Sequence, residues 1–362
     1  MKKHLSIIAG IIFFTGSAYA QNSDSTSKDS QFSLNGYVDT YYSYNLNTPE
    51  NGSNFGTTGV GRIFDGYHNQ IALGLAQLKA TYSTSKSEVV VDLAYGPNGE
   101  LANFGNTGSA IIIKQAYLST MLTDKLMLTA GQYGTHIGYE LVDAPDNFHY
   151  SLSYLFGNGP FYHTGIKLDY AISEKVAVMA GVVNSWDAIF DNNKSKSITA
   201  QLALTPNDDF SAYINWIGGD EAPSSLTGDT VSAYKHMVDL TTSYSLNEKF
   251  TIGFNGAYGF SKYDTTNTNW GGAALYLTYE ISDRFGIGLR SELFDDTEGT
   301  QYLGASYTGF TLTGSYTTES GAVMIKPEIR YDGSSQDIYY KGANNDVTSS
   351  QITVGIAFIG KF

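Results

Sequence analysis

The chain has 362 residues, no cysteine, a formal charge of −14 and a mean hydropathy of −0.18. The missing thiols exclude a disulfide framework and thiolate metal sites, and the acidity argues against nucleic acid as a partner. With 28 Tyr and 39 Gly against 7 Pro, the composition suits many long strands joined by tight turns.

At the amino-terminus, Lys2 and Lys3 precede an apolar run over 5–14, and Ala18-Tyr19-Ala20 closes it. A basic start, a short apolar core and a small-x-small site predict a secretory signal peptide over 1–20. No Cys follows Ala20, so a lipoprotein anchor is not expected. No later stretch has the roughly 20 uncharged apolar residues that a spanning helix needs, so a membrane form of this chain is a barrel. Loss of Lys2 and Lys3 takes the formal charge from −14 to −16.

Residues 21–31 are rich in Ser and Asp without periodicity and predict a disordered periplasmic lead-in. Over 32–362, strand-like segments alternate with two kinds of connection. Compact charged turns fall at 83–87, 121–125, 173–175, 206–209, 247–249, 282–284 and 318–321. Long segments rich in Asn, Gly, Asp, Ser and Thr fall at 45–66, 97–109, 134–160, 185–195, 219–232, 261–269, 295–301 and 333–349. Short turns on one side and long loops on the other are the asymmetry of outer-membrane barrels, and the hairpins add up to about 16 strands of about ten residues. A soluble propeller would need four short strands per blade rather than two long ones. The predicted fold class is all-β, a transmembrane antiparallel up-and-down β-barrel with short periplasmic turns and long extracellular loops.

In the last stretch, Ile352, Val354, Ile356, Phe358, Gly360 and Phe362 share one face, while Gln351, Thr353, Gly355, Ala357, Ile359 and Lys361 share the other. This is a strand with a greasy and a wetter side. Its terminal Phe362 resembles the assembly signal read by the barrel-assembly machinery; on this segment alone an ordinary sandwich strand is the alternative. Tyr82, Tyr170, Tyr244, Phe250, Tyr279, Phe285 and Tyr316 lie beside short turns, where rings form a girdle at the membrane–water boundary.

The middle of the chain adds more specific features. Gly131-Gln132-Tyr133 leads to Gly138-Tyr139-Glu140, Asp146-Asn147-Phe148, Tyr150-Ser151, Phe156 and His163-Thr164-Gly165. Val183-Asn184-Ser185-Trp186-Asp187, Asp191-Asn192-Asn193-Lys194 and Leu204-Thr205-Pro206 follow. Nearer the end come the run from Arg290 through Glu292 to Asp296 and the run from Lys326 to Asp332. In this order the motifs resemble the OmpL-like β-barrel porin family of Gram-negative envelopes, over most of the chain and least before about residue 115. Ser185 stands where that family more usually has Gly. The resemblance implies an outer-membrane pore for small hydrophilic solutes and names no substrate.

The segment 134–160 mixes apolar residues with Glu140, Asp143 and Asp146, which a purely exposed connector would not need. It is expected to fold inward and constrict the pore; an exterior loop packed on itself is the alternative. Lys326, Glu328, Arg330 and Asp332 share one strand face, as do Arg290 and Glu292 on another. A basic residue facing lipid near mid-bilayer costs roughly 2–4 kcal/mol, so these six are predicted to line the pore. Pairing with one another across the wall is the alternative role. Gly286, Gly288, Gly355 and Ala357 on the inward faces leave room in the lumen.

His136, His149 and His163 lie near acidic residues, but their spacing fits no ligand pattern, so no metal is expected. The run 295–299 lacks the oxygen-ligand spacing of a calcium loop and is expected at a loop tip facing lipopolysaccharide. No nucleophile signature appears, so neither catalytic residues nor a cofactor is expected. The expected function is a porin for passive diffusion of small hydrophilic solutes with a mild cation preference. A structural or adhesive barrel is the alternative, and a barrel-embedded hydrolase a further one. A plugged transporter is not expected, since no globular domain precedes 32. The expected surroundings are outer-membrane lipid and lipopolysaccharide, with a homo-oligomer compatible.

Overall fold

The computed structural model describes residues 30–57, 62–102, 112–222, 233–344 and 346–362. The expected signal peptide and most of the lead-in lie outside the described residues. Sixteen strands form one closed antiparallel barrel, each paired with its neighbours in sequence. They are β1 (Ser30–Asn45), β2 (Gln70–Thr84), β3 (Ser87–Tyr95), β4 (Ile112–Thr123), β5 (Leu126–Gly134), β6 (Tyr162–Ser173), β7 (Val176–Val183) and β8 (Ser197–Asn207). The wall continues with β9 (Phe210–Asp220), β10 (Ala233–Ser245), β11 (Phe250–Tyr263), β12 (Thr266–Ser282), β13 (Phe285–Asp295), β14 (Ser306–Thr317) and β15 (Val323–Ser334). A small hairpin of β16 (Tyr339–Tyr340) and β17 (Val347–Thr348) interrupts the last loop before β18 (Ser350–Lys361) completes the circle against β1.

Alternation sorts the two faces. In β13, Ile287, Leu289 and Leu293 are exposed on the outside while Arg290, Glu292 and Phe294 are buried inside. The period of two places every second side chain toward lipid. A closed circle leaves no unpaired ladder within the bilayer, where each unmet backbone group would be costly.

Two boundaries differ from the sequence reading. The ladder starts at Ser30, paired with Thr84, so the last residues of the expected lead-in are strand. The segment 261–269 is not a long loop: β11 and β12 pair through Tyr263↔Thr266, leaving a two-residue turn with Asp264 at positive φ. Its Asn and Thr residues resemble a loop in composition because this part of the hairpin is wet on both faces, yet its backbone bonds are met by the ladder.

The seam between β1 and β18 ends on a reciprocal pair. Phe362 N–H donates to Gly36 O at 3.0 Å and Gly36 N–H donates to Phe362 O at 3.1 Å. A Cβ on Gly36 would lie 2.5 Å from Gln77 O and 2.7 Å from the Phe362 ring. Overpacking of this kind costs roughly 1–3 kcal/mol, here at the point of closure. Gly36→Val should therefore sharply reduce the fraction of protein whose gel mobility changes on boiling, with Gly36→Ser less affected.

Candidate functional site: a loop clamped across the lumen

The loop over 135–161 leaves β5 and enters the barrel. It contains a 3-10 turn (Ala144–Asp146) and a short helix, α1 (Tyr154–Asn158), whose start is capped by Ser153 accepting from Phe156 N–H. α1 is apolar on the side it buries: Tyr154 and Leu155 pack with Trp270, Phe294, Leu303, Tyr307, Ile338 and Tyr339. These aromatic and aliphatic groups pack together toward the long-loop end of the lumen, each side chain contributing roughly 1.5–3 kcal/mol on burial. Ile338 and Tyr339 come from the last loop, which folds over the same cluster.

Below this plug the loop backbone is gripped by charges of the inner wall. Arg290 donates to Glu140 Oε1 at 2.7 Å and to the carbonyl of Ser151 at 2.5 Å. Arg330 donates to the carbonyl of Leu152 at 2.6 Å, and its guanidinium lies 5.2 Å from the centre of the Tyr154 ring. Carboxylates take the amides: Glu328 accepts from Tyr150 N–H at 3.0 Å, Glu140 from Ser153 N–H at 2.7 Å and Glu292 from Tyr154 N–H at 2.7 Å. Lys326 donates to the carbonyls of Ala144 and Asn147 at 2.8 and 2.5 Å. Charge-assisted bonds of this kind are short and roughly twice as strong as neutral ones.

The same charges also pair with each other. Arg290 reaches Glu292 at 3.1 Å, Arg330 reaches Asp332 at 2.7 Å, and Asp332 receives Arg62 of the first loop at 3.1 Å. Arg62 also binds Asp65, and Tyr154 Oη donates to Asp332 at 2.7 Å. Tyr150 Oη donates to Asp39 of β1 at 2.6 Å, and Lys114 of β4 reaches Asp143 at 2.5 Å. On the opposite wall, Asp239 of β10 accepts from Gly138 N–H at 3.1 Å, from Asn215 at 2.7 Å and from Asn255 at 2.5 Å. The loop thus touches β4, β10, β13, β15 and β1 and crosses the barrel.

All six residues expected on the pore wall point inward. Among them Arg290, Glu292, Lys326, Arg330 and Asp332 are buried against the loop and one another rather than bathed in an open lumen. Of the loop carboxylates, Glu140 and Asp143 are anchors, whereas Asp146 is exposed on the 3-10 turn. The room left by small inward residues is partly taken: a Cβ on Gly288 would meet the Phe148 ring at 2.4 Å. The three histidines do not converge. His136 and His163 rings lie 5.5 Å apart, while His149 bonds Thr313 at 2.7 Å on another part of the wall. Burial, then Arg290, Lys326 and Arg330, hold the His149 imidazole well below its ordinary pKa. Burial, then His163 and Lys167, do the same to His136. The acidic tip is used internally, with Asp296 accepting from the Gln301 and Leu303 amides and Glu298 from Asn269.

Sequence reasoning missed Asp39, Arg62, Lys114 and Asp239. Asp39 shares a face with Tyr37 and Tyr41, and Asp239 with Thr241, so strict alternation would have marked both as inward. Nothing local marks Arg62, which reaches β15 from a loop more than 200 residues earlier.

Comparison with solved structures shows the same architecture. An anion-selective porin from Comamonas acidovorans superposes with a TM-score of 0.63 at 13% identity, covering 92% of this chain and 100% of that one. The trimer form of OmpT from Vibrio cholerae gives 0.60 at 12%, with 92% and 100% covered. The outer membrane channel DcaP of Acinetobacter baumannii gives 0.56 at 13%, with 94% and 100% covered. At such identities the likeness speaks to the fold. No curated protein matches the chain. The family model described as "Putative beta-barrel porin-2, OmpL-like" matches residues 31–362. With that match over almost the whole wall, the chain belongs to the OmpL-like β-barrel porin family, and its barrel is of the outer-membrane type.

Proposed function

We propose that the protein is an outer-membrane channel passing small hydrophilic solutes by passive diffusion, with residues 135–161 setting the passage. The observation that carries this reading is the clamp itself, an inner wall of both charge signs holding a loop through its backbone. A polar inner wall is what hydrophilic solutes require. Charges that touch or flank the loop include Arg62, Lys114, Arg290, Lys326 and Arg330 against Asp39, Asp65, Glu140, Asp143, Asp239, Glu292, Glu328 and Asp332. This acidic excess, with the acidic chain as a whole, supports a modest cation preference. Planar-bilayer recordings in a salt gradient should give a reversal potential of cation-selective sign. It should shrink as the Debye length falls from about 10 Å at 0.1 M salt to about 3 Å at 1 M. Anion selectivity would overturn that part.

The packing toward the long-loop end favours a second reading, a structural barrel that does not conduct, and absence of single-channel steps from a folded sample would select it. The conducting reading places lipid around the wall, lipopolysaccharide at the rim and the assembly machinery at Phe362. Cross-linking in the outer membrane tests whether copies associate.

The clamp also carries a pH response. His149 and His136 are held neutral in the clamped state, whereas a released loop restores an ordinary imidazole with a pKa of about 6.5. Below that value the released state binds more protons, so the clamp weakens as pH falls, by up to about 1.4 kcal/mol per pH unit for each histidine. Conductance should rise between pH 7 and pH 5, and His136→Gln with His149→Gln should flatten the rise. An unchanged acid response in that pair would remove the histidines from the account.

A further inference from the structure

Four short turns repeat one pattern: Leu122-Thr123-Asp124-Lys125-Leu126, Ile172-Ser173-Glu174-Lys175-Val176, Leu246-Asn247-Glu248-Lys249-Phe250 and Ile281-Ser282-Asp283-Arg284-Phe285. Each runs apolar residue, capping residue, acid, base, apolar residue. The geometry repeats as well. The side-chain oxygen of the capping residue accepts from the amide of the base, at 3.2 Å in Thr123 and Ser173, 2.9 Å in Asn247 and 3.4 Å in Ser282. The carbonyl of the base accepts from the next hairpin at 2.8 or 2.9 Å. Turn chemistry explains the capping residue but does not ask for an acid followed by a base. The turn after β8 shows this, since Asn207 caps it in the same way while Asp209 stands where the others have a base.

The apolar flanks fix the depth of these charges. Leu122, Ile172, Leu246 and Ile281 are 47–52% exposed on the outer face. After the turns, Leu126, Phe250 and Phe285 pair with Tyr170, Tyr279 and Tyr316 of the same face. Apolar groups there meet hydrocarbon, and the charges one or two residues away meet water. Each acid–base pair therefore stands in the headgroup layer, roughly 5–8 Å deep on each side of a bilayer. The short turns lie on the periplasmic side. All eight charged residues of these turns are exposed. Arg284 reaches Glu319 of the next turn at 3.7 Å, but those side chains are 52% and 93% exposed and the contact is worth little. Among the described residues the other charges of the four turns form no ion pair.

An anionic headgroup gains the base and is repelled by the acid beside it. A quaternary ammonium has no proton to donate to the carboxylate. A headgroup with a phosphate and a primary ammonium satisfies both partners, the ammonium donating to Asp or Glu and the phosphate accepting from Lys or Arg. We propose that these four turns are docking points for phosphatidylethanolamine in the periplasmic leaflet, each acid–base pair taking one headgroup. The inference rests on the outer-membrane wall and not on conduction.

Native mass spectrometry of the folded protein tests it, after release from nanodiscs made of equal parts phosphatidylethanolamine, phosphatidylcholine and phosphatidylglycerol with the same acyl chains. The ethanolamine lipid should be retained over both others, by about twofold at each turn, the scale of an exposed ion pair. Asp124→Asn, Glu174→Gln, Glu248→Gln and Asp283→Asn together should abolish its advantage over the choline lipid. The glycerol lipid should then be retained best, because only the bases remain. Heat-dependent gel mobility checks folding. Should the fourfold variant not fold, Asp124→Asn with Glu174→Gln should lose about half of the advantage. Equal retention of the ethanolamine and choline lipids by the native protein overturns the inference. So does a native preference for the glycerol lipid, or a preference left unchanged in a folded carboxylate variant.

Discussion

Deleting residues 139–154 should raise the single-channel conductance several-fold while the barrel still folds. The deletion removes Tyr139, Glu140, Phe148, Tyr150, Leu152 and Tyr154 from the lumen, and with them the lower part of the apolar plug. The wall does not depend on them, because its ladder bonds run only between neighbouring strands. Arg290 keeps Glu292, and Arg330 keeps Asp332, so the exposed wall retains paired charges that water can reach. The measurement is conductance in a planar bilayer beside a boiling-dependent gel shift. An unchanged conductance in a folded deletion would show that the loop does not set the passage.

Replacing Arg290 and Arg330 together by Met should release the loop without shortening it. Glu140 and Glu292 lose their guanidinium partners, and Asp332 keeps Arg62 alone. Removing one partner of a buried pair costs roughly 3–5 kcal/mol, because the remaining charge is left without compensation. That cost falls on the clamped state and is relieved when the loop leaves, so the loop should become cleavable by added protease. The proposed cation preference should sharpen as well, since two fixed positive charges are gone. Arg290→Lys keeps the charge but lacks the planar fork that reaches Glu140, Glu292 and Ser151 together, and should fall between. Full protease protection in the double variant would mean that the apolar plug, not the charges, holds the loop.

The wall was legible because its rule is local. In β15, Lys326, Glu328, Arg330 and Asp332 alternate with Ile325, Ile329 and Tyr331, and the cost of charge in hydrocarbon assigns the faces without any tertiary information. The short turns were legible for the same reason, each a compact charged break between apolar alternations. The clamp was legible only on one side. Alternation identifies the wall charges, but their partners are mostly main-chain groups of the loop, and every residue carries those. The pairing of Arg62 with Asp332, or of Gly138 with Asp239, depends on where a closed circle brings distant strands. The segment 261–269 failed for another reason, since hydrophobic alternation fades where a hairpin has water on both sides.

That hairpin has a practical consequence. β12 has 17 residues and β11 has 14, while about 9–11 suffice for a tilted strand to cross the hydrocarbon. Part of the pair therefore stands above the bilayer, and the stretch before Gly271 has no ladder partner in β13; there Trp270 packs on Phe294, and Asn269 bonds Glu298 and Thr300. Its tip, Asp264-Thr265, is far along the chain from both the seam and the crossing loop. Exposed tips of this kind accept foreign sequence best, because few buried contacts are disturbed. An epitope or an affinity peptide spliced between Asp264 and Thr265 would ride on a stiff two-stranded mast outside the cell. The barrel could then be labelled in living bacteria, or turned into a display scaffold, with the lumen untouched.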